Sequence, residues 1–159
     1  MAPDSPSEQP SVPPALEAQV RECYGRVVYT HKAHEKTAEI LDGVVDETFG
    51  DGDVIESGGL RIEVMHTPGH CADHCALSVD GTDVLTADVI FKGTVGGTRA
   101  PGATGFEDLR SSVMDRLMKL GPETRLHPGH REPTTVGVEW ERNPFIRVWR
   151  GLDPENAEP

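Results

Sequence analysis

The chain has little cysteine, no excess of basic charge and no long apolar run, and each lack removes a class of protein. Its three cysteines, Cys23, Cys71 and Cys75, are an odd number at spacings that match no zinc-finger pattern and argue against a closed disulfide framework. Cys71 and Cys75, four apart with no second pair, read as small-residue packing. Basic residues number 15 against 27 acidic ones, a net charge of −12. That balance repels a phosphate backbone and an anionic membrane surface alike, so neither nucleic acid nor membrane is an expected partner. No apolar stretch is long enough for a transmembrane helix. The first fifteen residues, rich in Pro, Ser and acid, have neither the basic start nor the apolar centre of a signal peptide. A cytoplasmic protein is expected. Internal repeats are also lacking.

What is present is enough for one domain. A chain of 159 residues with 36% hydrophobic content can bury a core but is too short for two. Residues 1–14, punctuated by Pro3, Pro6, Pro10, Pro13 and Pro14, bury too little apolar surface to offset their ordering entropy, so a disordered tail is expected there. The domain should run over 15–150, with a flexible tail over 151–159. Leu16, Val20 and Tyr24 recur at helical spacing up to Gly25; 26–30 then reads as a short strand and 34–41 as a short helix. Leu60, Ile62 and Val64 alternate with Arg61 and Glu63, a half-buried strand leading into His66-Thr67-Pro68-Gly69-His70. Strands over 75–79 and 83–87 flank Asp80-Gly81, a dipeptide that tolerates positive φ in a tight turn. A glycine-rich loop over 91–105 precedes a helix with Phe106, Leu109, Val113, Leu117 and Leu120 on one face. Thr104 and Glu107 have the spacing of a capping box for it, and Gly121-Pro122 ends it. A last strand, 124–126, leads into His127-Pro128-Gly129-His130, and the aromatic stretch from Trp140 to Trp149 should dock on the domain.

The chemistry sits at three strand ends. His70, Asp88 and His130 each follow an expected strand, and two of them stand behind a Pro-Gly turn that bends the chain sharply. Strand ends of one sheet converge, so imidazole and carboxylate groups distant in sequence can meet there as metal donors. His66 and His127 precede the two turns and read as residues that orient the donors or serve the structure. Lys92 and Arg99 in the glycine-rich loop are solvated charges with an anionic substrate as the alternative.

The segments His66-Thr67-Pro68-Gly69-His70, Leu85-Thr86-Ala87-Asp88-Val89-Ile90-Phe91 and His127-Pro128-Gly129-His130, in that order, resemble successive metal motifs of the metallo-β-lactamase superfamily. The glycine-rich loop, Leu120-Gly121-Pro122-Glu123-Thr124 and Glu141-Arg142-Asn143-Pro144 are similar to the glyoxalase II-like branch. The resemblance covers about Val27 to Pro144. It implies an αββα sandwich, incomplete on its N-terminal side. It also implies two zinc ions, with iron or manganese as alternatives. His70 would bind the first metal, Asp88 would bridge both and serve catalysis, His130 would bind the second, and His74, at a position where glyoxalase II-type relatives also carry histidine, would orient a ligand. The implied reaction is hydrolysis of a small-molecule thioester or ester by a metal-bound hydroxide.

The family's opening motif, T-H-x-H-x-D-H, does not occur in these 159 residues. Without it each metal keeps about two protein donors where a catalytic zinc takes at least three. Three readings follow. The chain is an active hydrolase whose opening segment lies outside this sequence; or a catalytically inactive relative serving as a binding or interaction module, with a second copy completing its open sheet; or an enzyme with a reorganised site using His31, His34 or Glu35. A single-iron site of two histidines and one carboxylate, as in persulfide dioxygenase-like members, is a further alternative.

Overall fold

The structure, a computed structural model, describes residues 29–31, by their backbone alone, and 47–152. The expected tail over 1–14, the helices over 15–25 and 34–41 and the end of the C-terminal tail lie outside the described residues. Within them the alternation read from the sequence becomes a six-stranded sheet in the order β10-β9-β6-β5-β4-β3. Its strands are β3 (Val54–Ser57), β4 (Leu60–His66), β5 (Cys75–Val79), β6 (Asp83–Ala87), β9 (Arg125–Pro128) and β10 (Thr134–Thr135). All neighbours are antiparallel except β6 and β9, which run parallel. A parallel pair needs a crossover, and the helical segment between them supplies it. Two strands outside this sheet, β1 (Tyr29–His31) and β2 (Glu47–Phe49), pair in parallel, and β7 (Ile90–Phe91) with β8 (Thr94–Val95) forms a small hairpin.

The turn between β5 and β6 works as the dipeptide suggests: Asp80 and Gly81 take φ of 50° and 72°. Period-two alternation then sorts the sheet into two faces. Ala76, Val84 and Leu126 point to one face and join a single buried cluster with Leu109, Val113 and Leu117, which recur every fourth residue along the crossover helix, and with Ile146 from the C-terminal helices. On the other face Leu77 pairs with Leu85, and Leu85 with His127. Leu85 is 46% exposed there. The described helices therefore contribute to one face of this sheet, as in one half of an αββα sandwich.

The crossover helix begins as α1 (Phe106–Ser111), widens to a π turn over Ser112–Arg116 and tightens to 3₁₀ over Leu117–Lys119. Its start corrects one expectation. Thr104 and Glu107 form no capping box: the cap residue is Gly105, with φ of 122° and no side-chain cap bond. The N–H groups of Thr104 and Gly105 both donate to the Gly69 carbonyl instead, at 3.1 and 3.5 Å. A β-carbon on Gly69 would stand 2.5 Å from Leu109 Cα, so the bare turn before His70 is wedged against the first turn of α1. Tertiary contact has replaced the local cap. The aromatic stretch docks as two short helices, α2 (Val136–Arg142) and α3 (Pro144–Trp149), and Trp149 sits 5.6 Å from Phe106 between ring centroids.

One ion pair ties the loop before β3 to the crossover helix. The Arg116 guanidinium donates to both oxygens of Asp51, at 2.6 and 2.8 Å, and Asp51 also accepts the His66 N–H at 2.8 Å. The guanidinium holds the Asp51 carboxyl below its ordinary value of 3.8. Because the folded value is the lowered one, this contribution is complete above about pH 4 and lost as pH falls through it. Both side chains are about half exposed, so Arg116→Ala should cost only about 0.5–1 kcal/mol in urea unfolding at pH 7. The gap from the unsubstituted chain should narrow steadily below about pH 4; a gap that stays constant down to the acid transition would show that the pair contributes nothing.

Candidate functional site

Two turns and one strained residue bring the donors together. β4 ends at His66, and the turn through Pro68 and Gly69 delivers His70. β6 ends at Ala87, which takes φ of 42°, a left-handed conformation rare for a residue with a β-carbon. The strain is held in place because the Gly129 N–H donates to the Ala87 carbonyl at 2.9 Å, where the β6–β9 register shifts between Leu85 and Ala87. This turns Asp88 out of the strand toward the turn that carries His130. The fit is tight: a β-carbon on Gly129 would stand 3.0 Å from Asp88 Oδ1, and one on Gly96 would stand 1.9 Å from the Asp88 carbonyl oxygen.

Hydrogen bonds decide which ring nitrogens carry protons. His70 Nδ1 lies 2.8 Å from the Gly97 carbonyl, which only accepts, so a neutral His70 keeps its proton on Nδ1. Its Nε2 then presents a lone pair to Asp88 Oδ2 across 3.8 Å. Two acceptors facing each other with no proton between them are a cation's position. The separation is short enough for one zinc at about 2.0–2.2 Å from each atom. On the other carboxylate oxygen, His130 Nδ1 donates to Asp88 Oδ1 at 3.0 Å, and the edge of Phe91 supports that ring at 6.1 Å between centroids. The two histidines thus address different oxygens of Asp88. Among the described residues no group of three or more His, Cys, Asp or Glu side chains closes around a single point. The donor chemistry fits a metal; the described residues offer two donors on the His70 side and two on the His130 side, with Asp88 common to both.

His74 holds Asp88 from behind. Its Nε2 accepts the Asp88 backbone N–H at 3.1 Å, which puts its own proton on Nδ1, 2.9 Å from Thr67 Oγ1. The Thr67 hydroxyl in turn reaches the His74 carbonyl at 3.5 Å. Burial pushes His74 below the ordinary imidazole value, which keeps it neutral, as an acceptor at Nε2 requires. Thr67 was not singled out by sequence reasoning; its full burial next to a turn is a tertiary fact. The other two neighbouring histidines turn to different partners. His66 Nε2 meets the Ala72 carbonyl at 2.7 Å. His127 meets Asp83 Oδ1 at 2.7 Å, at the opposite end of β6 from Asp88. There Arg125 first, and His127 second, hold the Asp83 carboxyl well below the usual carboxylate range.

The remaining expected candidates are placed as follows. His31 lies on β1, where only the backbone is described, and His34 and Glu35 lie outside the described residues. Lys92 pairs with Glu132 at 2.7 Å, tying the β7–β8 hairpin to the turn after His130. Cys71 and Cys75 are free thiols pushed up by burial, to about 11 and about 12, so neither is a ready thiolate at neutral pH.

Set against known proteins, the chain is 33% identical over 97 residues to hydroxyacylglutathione hydrolase GloC of Haemophilus influenzae, covering 60% of this chain and 45% of that protein. The crystal structure of TTHA1623 in a di-iron-bound form matches with a TM-score of 0.63 at 32% identity, over 80% of this chain and 69% of that one. The BLEG-1 B3 metallo-β-lactamase shares the fold, with a TM-score of 0.70 at 24% identity over 83% of this chain and 70% of that one. The chain spans about half the length of the curated relatives it matches. A model of the SMODS and SLOG-associating 2TM effector domain family 4 matches residues 16–47. That stretch is mostly outside the described residues and has no apolar run long enough to cross a bilayer. Among the described residues no helix is long and apolar enough to do so either.

Fold and site together define a class, and the chain belongs to the metallo-β-lactamase superfamily. Within it, the chain belongs to the glyoxalase II-like branch, which includes the hydroxyacylglutathione hydrolase it matches.

Proposed function

We propose that this chain carries the Asp88-centred half of a dinuclear metal site that hydrolyses a small-molecule thioester or ester. His70 serves one metal, Asp88 bridges, and His130 serves the other. The observation that carries this reading is the pair of facing acceptors, His70 Nε2 and Asp88 Oδ2, 3.8 Å apart with the imidazole proton committed to Gly97. A bound metal would supply Lewis acidity and a hydroxide nucleophile near neutral pH. Zinc is the metal proposed; iron is the alternative, since TTHA1623 is described in a di-iron-bound form, and manganese is another. The two described cysteines are both free thiols, which suits a reducing cytoplasm. The Nδ1–H bond of His130 to Asp88 leaves Nε2 as the nitrogen that ring can offer a metal.

A second reading has its own support. With no third donor at hand among them, the described residues are short of the three or four ligands a catalytic zinc takes. The chain would then be a binding module whose sheet face at Leu77 and Leu85, which the described helices leave open, receives a second copy or a complementary segment.

Metal analysis of the purified chain separates the two. The hydrolase reading expects at least one equivalent of zinc or iron, thiol release from a model thioester, and loss of both in His70→Ala. Less than half an equivalent of metal with no thiol release would leave the binding module as the reading that stands.

A further inference from the structure

Glu139 is 1% exposed, while the other described acidic residues are partly or fully exposed. Its carboxylate is surrounded by donors. Oε2 accepts the Gly93 backbone N–H at 2.9 Å and Asn143 Nδ2–H at 2.8 Å, while Oε1 accepts the Thr134 hydroxyl at 2.7 Å. Asn143 Nδ2 also donates to the Thr94 carbonyl at 3.1 Å. Glu139 and Asn143, one helical turn apart on α2 and its cap, therefore grip both sides of the Gly93–Thr94 peptide at the tip of the β7–β8 hairpin. The same hairpin continues through Gly96, whose N–H donates to Val89 at 3.1 Å and whose missing β-carbon makes room for the Asp88 carbonyl. It ends at Gly97, whose carbonyl takes the His70 proton.

We infer that Glu139 is a positioning residue for the metal site: by anchoring the β7–β8 hairpin it sets the Gly97 carbonyl that fixes the His70 tautomer and aims its Nε2 lone pair at Asp88. A buried carboxylate is a costly way to hold a hairpin, and an apolar side chain of similar size would pack α2 as well. What an apolar residue does not do is receive a backbone N–H, and Gly93 offers one with no strand partner at a hairpin tip. The inference rests on the metal-site reading for its functional meaning, but its first link, from Glu139 to the His70 tautomer, is independent of any metal.

Two measurements test it. Nitrogen-15 correlation spectra of the metal-free protein report which imidazole nitrogen of each histidine carries the proton, and competition with a coloured chelator reports zinc affinity. Glu139→Gln should behave as the unsubstituted chain on both, because its carboxamide oxygen keeps Gly93 and Asn143 while the Thr134 hydroxyl rotates to accept from the amide. Glu139→Ala should leave His70 a mixture of tautomers and weaken zinc binding by about 10–100-fold, the usual cost of losing a group that orients a metal ligand. His74, fixed by Thr67 and the Asp88 N–H, should keep its Nδ1 proton in the same sample, which shows that the fold is intact. If the alanine variant does not fold, Glu139→Asp, which retracts the carboxylate by one methylene, is read the same way. A variant that keeps the His70 tautomer and melts at a lower temperature would overturn the inference and leave Glu139 a purely structural residue. Should the unsubstituted chain bind no zinc, the proposed function falls, while the tautomer result still decides the role of Glu139.

Discussion

Gly96→Ala is expected to abolish the native site and to destabilise the domain by about 3 kcal/mol or more, beyond the usual cost of overpacking. The added β-carbon would lie 1.9 Å from the Asp88 carbonyl oxygen, a separation no pair of heavy atoms without a bond between them adopts. Neither partner can yield cheaply. The Gly96 N–H is committed to Val89, and the Asp88 N–H to His74. Asp88 also follows Ala87, already in a left-handed conformation that tolerates little further twist. Gly97→Ala is the matching control: nothing lies within 4 Å of a β-carbon there, and its effect should be within about 0.5 kcal/mol. Urea unfolding of the two variants beside the unsubstituted chain measures both. Equal stability of all three would mean that the hairpin does not pack on Asp88.

Asp88→Ala should give the opposite combination, a large loss of metal binding at little cost in stability. The Asp88 side chain is about a third exposed and anchors nothing in the core. Its two oxygens nevertheless face His70 and His130, one each. Removing them should weaken zinc binding more than His70→Ala does, by about 100-fold or more, the upper end for losing a group coupled to a metal ligand. Circular dichroism and a thermal melt, read beside a chelator competition, separate affinity from folding. Zinc affinity unchanged in Asp88→Ala would show that the metal, if bound, sits elsewhere.

The elements that were legible are those dictated locally. β5 and β6 have the expected limits because alternation on both sides of Asp80-Gly81 leaves one register that buries Ala76 and Val84 together. The crossover helix was visible in the fourfold spacing of Leu109, Val113 and Leu117, yet its cap was not. Thr104 and Glu107 satisfy the local rule for a capping box, but the Gly69 carbonyl lies close enough to take the N–H groups instead. The π turn at Ser112–Arg116 was equally invisible: Ser112 Oγ donates to the Pro68 carbonyl at 2.6 Å, a partner 44 positions away.

The candidate site divides the same way. His70, Asp88 and His130 could be picked out because each stands just beyond a strand, and strand ends of one sheet converge whatever the loops do. By itself the sequence thus determined which donors meet and which superfamily they resemble. Only the tertiary structure decided their protonation, their aim and what holds them. Those depend on the Gly97 carbonyl at His70 and on His74, held by Thr67, at the Asp88 N–H, contacts between segments distant in sequence whose hydrogen bonds tolerate little displacement. Periodicity and turn chemistry act over a few neighbouring residues; hydrogen bonds between distant segments exist only once the sheet has closed.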